Sequence, residues 1–113
     1  MTPQDLLAAA DERAEMAAAA MASATEGASL CSVSRSGEQI PGVKYPEGRW
    51  AAMRALRRSL RAGVAPDAAL AALRSEWAED LTARGSPGEE NWRAYRLGGL
   101  DALDEVGELL RNG

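Results

Sequence analysis

Leu7, Ala10, Ala14, Ala17, Met21 and Ala24 recur at three- and four-residue spacing near the start of the chain, and four of these six are alanine. Residues so spaced line one side of an α-helix, and side chains this small let a second helix approach closely. The segment is therefore half of a helix pair and needs a partner. Thr2, Pro3 and Asp5 supply a capping hydroxyl, a proline in the first turn and an acid near the positive end of the helix dipole. The spacing predicts a helix to about Thr25 that stops at Gly27.

Helical periodicity vanishes over residues 26–45, where Ser, Gly and Pro dominate, and returns near Pro46. This stretch reads as a long loop; a short hairpin pairing LCSV with QIPGVKY around SRSG is the alternative. A second helix is expected from Pro46 to Gly63, with Met53, Leu56, Leu60 and Val64 on one face. A third starts at Pro66 and runs to Gly85 with Leu70, Leu73, Trp77 and Leu81 as its stripe. Ser86, Pro87 and Glu89 resemble a capping box for a fourth helix reaching about Arg111, striped by Trp92, Tyr95, Gly99, Leu103, Val106 and Leu110. Two adjacent glycines in a helix, Gly98 and Gly99, mark a kink or a close crossing. The expected fold is all-α: one helical domain over residues 1–113, bundle-like, with four helices and the 26–45 loop after the first.

The core of such a domain is thin. Alanine supplies 24 residues, whereas Leu, Ile, Val and Phe together supply 18 of 113. Burial of an alanine contributes much less than the roughly 1.5 to 3 kcal/mol of a buried leucine, so contact with a second copy or another protein would add appreciable stability.

Composition also removes chemistries. The chain has no histidine, hence no His-containing triad and no usual zinc ligand. One cysteine, Cys31, cannot complete a zinc or iron-sulfur site, and neither phosphate-binding glycine motif occurs. Carboxylate-only catalysis needs a deep cleft that four helices around a thin core rarely build. No catalytic role, metal or cofactor is expected. The start MTPQDLL lacks the features of a signal peptide, and the alanine-rich run at residues 17–22 is too short to cross a bilayer, which suggests a cytoplasmic protein without a membrane role.

Charge is segregated. Residues 1–48 carry −4, residues 49–65 carry +5 and residues 66–113 carry −5. In RALRRSLR, Arg54, Arg57, Arg58 and Arg61 occupy positions i, i+3, i+4 and i+7, beside the Met53 and Leu56 face and with Trp50 at the edge. In DALDEVGE, Asp101, Asp104, Glu105 and Glu108 repeat the same spacing with opposite charge, almost opposite the Leu103, Val106 and Leu110 stripe. The acidic face should then meet solvent, and the two octets should not pair within one chain.

The expected function is that of a small non-catalytic interaction or regulatory factor, an adaptor or inhibitor. It would act as a homodimer or on a partner protein through these basic and acidic faces. The alternative is nucleic-acid binding, with the arginines on phosphates and Trp50 stacked on a base. A helix-turn-helix formed by WAEDLTARGSPGEENWRAYR is weaker, because Glu89 and Glu90 stand where that motif approaches phosphate.

Overall fold

A computed structural model describes residues 2–26, 43–83 and 90–112. It contains four helices, α1 (Pro3–Glu26), α2 (Lys44–Arg61), α3 (Pro66–Ala83) and α4 (Glu90–Asn112). No strand occurs among the described residues, and the all-α expectation holds. Most of the proposed hairpin, Cys31, Gly27 and the Ser86, Pro87 and Glu89 start lie outside the described residues, as does the side chain of Leu81; the last two hairpin residues, Lys44 and Tyr45, open α2 instead.

The helix ends follow from local chemistry. Thr2 Oγ1 accepts a hydrogen bond from the Asp5 N–H (3.1 Å), while the Asp5 carboxylate accepts one from the Thr2 N–H (3.0 Å). This reciprocal capping box satisfies two of the donors a helix start leaves open. The bonds from Thr2 also hold the Asp5 carboxyl below the usual carboxylate range. Helix α2 begins two residues before Pro46, so the proline sits inside the first turn, where no helical N–H bond is lost. At its other end Gly63 adopts φ +91°, a left-handed conformation that glycine takes without steric cost. The Gly63 N–H donates to Leu60 (3.1 Å) and the Val64 N–H to Ser59 (3.0 Å), a Schellman ending that turns the chain into α3.

One core draws on all four helices: Leu6, Ala10 and Ala14 from α1, Ala52, Met53 and Leu56 from α2, Ala69, Leu70, Leu73 and Trp77 from α3, and Ala102, Leu103 and Val106 from α4. Its largest fully buried side chains are Leu6, Met53, Leu56, Leu103 and Val106. Two expectations change. Leu6 rather than Leu7 heads the α1 seam: Leu6 is fully buried and Leu7 is half-buried, with Ala10, Ala14 and Ala17 continuing the row. Val64 is exposed, because the chain has already left the α2 face at Gly63.

Close backbone approach makes up for the small side chains. A Cβ on Gly48 would run into the Tyr95 carbonyl oxygen, and one on Gly98 into the Tyr45 carbonyl oxygen. Glycines therefore let α2 and α4 touch backbone to backbone, the close crossing expected of Gly98 and Gly99. Helix α4 packs most extensively on α2 and also on α3, and α1 covers α2.

Candidate functional site

Three of the four acids of the α4 octet have partners within the chain. Arg49 of α2 donates two hydrogen bonds to Glu105, at 2.8 and 2.7 Å, and Arg13 of α1 adds a third at 3.3 Å. Hydrogen bonding from Arg49, opposed by desolvation and reinforced by both positive charges, holds the Glu105 carboxyl below its ordinary value of 4.5. Arg74 of α3 donates to Asp104, and the Tyr45 hydroxyl donates to Asp101, which keeps the phenol protonated above its ordinary value of 10.0. Asp101 and Glu108 make no ion pair among the described residues.

The acidic face does meet solvent, with Asp101 and Glu108 exposed and the Asp104 and Glu105 side chains about half exposed, but it also holds contacts to α2, α3 and α1 that were not expected. The buried side of α4 includes Gly98, Gly99 and Ala102 as well as Leu103 and Val106, so it is wider than the stripe of large residues implies. Its shoulders carry Asp104 towards α3 and Glu105 towards α2. Arg13, Arg49, Arg74 and Tyr45, which hold the acids, were absent from the predicted site. Arg49 carried a readable signal, since it shares the helical row of Met53, Leu56 and Leu60. A charge in an apolar row calls for an internal counter-ion.

The basic octet of α2 divides in the opposite sense. Arg57 turns to α1, its Nε 2.6 Å from an Asp11 oxygen. Arg54, Arg58 and Arg61 are exposed, and none makes an ion pair among the described residues. The Arg54 guanidinium lies over the Trp50 ring, 4.9 Å from its centroid, while Trp50 packs half-buried against the core. The described pairs confirm that the two octets do not meet each other within the chain.

Each side of this arginine row is bounded by a groove with an acid in its wall. Trp50, Arg57, Asp11, Ala14 and Glu15 line a shallow groove of about 350 Å³ between α1 and α2. Another, of about 360 Å³, lies between α2 and α3, with Ala51, Ala55, Leu73 and Trp77 below and Arg58 and Glu76 at its rims. Tyr95 and Arg96 of α4 also line this groove; Trp77 stacks on Tyr95 (centroids 5.2 Å), Trp92 stacks on the same Tyr95 (5.3 Å), and the Arg96 guanidinium lies over Trp77 and Trp92 at 4.6 and 4.4 Å. Such stacks fix the α3–α4 contact. Among the described residues no group of acids could hold a metal ion, and no helix is long and apolar enough to cross a membrane. No family model, curated protein or solved structure matches the chain.

Proposed function

We propose that the protein is a non-catalytic interaction factor that binds an acidic surface of a partner protein through the exposed face of α2. The observation that carries this reading is the contrast among arginines. Arg13, Arg49, Arg57 and Arg74 each hold an acid of the same chain, whereas Arg54, Arg58 and Arg61 stand together at the surface without one among the described residues. Three cations on one face repel one another unless an external anion approaches, and such charge sets orientation and partner choice more than affinity.

A protein surface fits better than nucleic acid. Glu15 flanks the row on α1, and the whole chain carries −4, so an extended polyphosphate would meet repulsion on that side. The aromatic rings that base stacking would use are engaged: Arg54 lies over Trp50, and Trp77 is 5% exposed. Self-association through the α4 acids is also disfavoured, since Asp101, Asp104 and Glu105 already have internal partners.

Affinity capture from native lysate tests the reading, with the wild-type chain and an Arg54→Ala, Arg58→Ala, Arg61→Ala variant as baits. A captured protein that survives nuclease, elutes with salt and is lost with the triple variant is expected. Capture that disappears on nuclease treatment would instead favour the nucleic-acid reading.

A further inference from the structure

We propose that in the free protein the arginine row of α2 is covered by the outer face of α1 from a second copy, in a symmetric dimer that the acidic partner must open. The inference rests on the basic-face reading above and adds what regulates that face. Glu12 and Glu15 are exposed on α1 and, like Arg54, Arg58 and Arg61 on α2, make no ion pair among the described residues. Asp5 is exposed two turns before Glu12, and Ala8 and Ala19 are exposed on the same side of the helix. That side is therefore acidic and low, and a second helix can approach it closely.

Contacts within the chain set the register. Asp11 meets Arg57, and Ala18 shares a groove with Trp50, so α1 and α2 run antiparallel, seven residues forward on one matching seven back on the other. Glu12 is then level with Leu56 and Glu15 with Met53. A twofold axis parallel to the helices keeps every residue at its own level and sets α1 of each copy beside α2 of the other. Arg54 lies one residue from the level of Glu15, Arg58 two from that of Glu12 and Arg61 two from that of Asp5, offsets of roughly 1.5 to 3 Å that side chains span. Three acids thus meet three arginines, twice over, and the patch closes on itself. Exposed pairs each add little strength, so a more acidic partner can displace the second copy.

Sedimentation equilibrium from micromolar to near-millimolar protein, at low and high salt, tests this. A monomer–dimer equilibrium that high salt shifts towards monomer is expected. Glu12→Arg with Glu15→Arg should weaken the dimer at least about tenfold, and so should Arg54→Glu with Arg58→Glu, because each sets like charges face to face. An equimolar mixture of the two variants should dimerise again, since every contact regains opposite charges. Should a reversal variant not fold, Gln at the same positions replaces it and should weaken the dimer less. Wild-type protein that stays monomeric, growth beyond a dimer, a dimer indifferent to these changes, or a mixture that stays monomeric overturns the dimer proposal and leaves the basic-face reading standing. That reading is tested apart by a labelled helical peptide bearing glutamates at i, i+4 and i+7. The Glu12→Arg, Glu15→Arg variant keeps the α2 row and should bind this peptide at least as tightly as wild-type protein does. A peptide that binds neither protein overturns the basic-face reading and this proposal with it.

Discussion

Arg49 grips Glu105 with two hydrogen bonds, at 2.8 and 2.7 Å, and thereby ties α2 to α4 at a point where Arg13 brings in α1 as well. One carboxylate thus joins three helices of a domain whose apolar core is thin. Two-pronged arginine contacts are stronger than single ones, but the Glu105 side chain is 44% exposed and solvent screens it.

Glu105→Gln should therefore lower stability at neutral pH by about 1 to 2 kcal/mol. Because the folded-state value of this carboxyl is depressed, its contribution is present above its ordinary value of 4.5 and disappears as pH falls through the lower folded value. Urea unfolding across that acid range should show a shallower loss of stability in the variant than in the wild type. Parallel pH profiles would show that the contact contributes nothing.

The glycine crossing makes a prediction whose sign is unusual. In a helix, Gly→Ala ordinarily gains about 1 kcal/mol, and Gly107→Ala should do so, because its Cβ would meet nothing closer than an Arg111 side-chain nitrogen at 3.6 Å. Gly48→Ala and Gly98→Ala should each instead destabilise by about 1 to 3 kcal/mol as α2 and α4 are pushed apart. Thermal melts of the three variants separate the two behaviours.

Register along α1 can be read from adjacent leucines. Leu6→Ala leaves a cavity at a fully buried site and should cost about 2 to 4 kcal/mol, whereas half-buried Leu7→Ala should cost less than about 1.5 kcal/mol. Denaturant midpoints in the reverse order would place the seam on the other leucine.

Arginines of one octet should differ in kind. Arg57→Ala loses the Asp11 contact and should destabilise by about 1 kcal/mol, while Arg58→Ala and Arg61→Ala should each stay within about 0.5 kcal/mol of wild type. Partner binding should follow the opposite order, with Arg58 and Arg61 more sensitive than Arg57. Chemical unfolding and binding measured on the same three variants compare the two orders.

Periodicity and punctuation made the helices legible: the Thr2, Pro3 and Asp5 start, the Gly63 stop and the Pro66 restart all lie where side-chain chemistry demands. The role of the α4 acids was hidden, because a helix read alone shows which residues share a face and not which neighbour meets its shoulders. Gly98 announces a kink or a close crossing, yet not that α2 is the helix it meets, nor that the crossing brings Arg49 within reach of Glu105. The most informative clue was Arg49 in line with Met53 and Leu56, a charge where an apolar residue belongs. Which arginines remain for a partner followed only once the internal pairs were placed.

The most direct measurement is anisotropy of a labelled helical peptide bearing glutamates at i, i+4 and i+7, titrated with wild-type protein and with the Arg54→Ala, Arg58→Ala, Arg61→Ala variant, beside a labelled single-stranded oligonucleotide. The predicted result is peptide binding that weakens at least about tenfold in the variant and with added salt, and no comparable binding of the oligonucleotide. Equal peptide affinity for the two proteins, or tighter binding of the oligonucleotide than of the peptide, would contradict the assignment of the α2 face to an acidic protein partner.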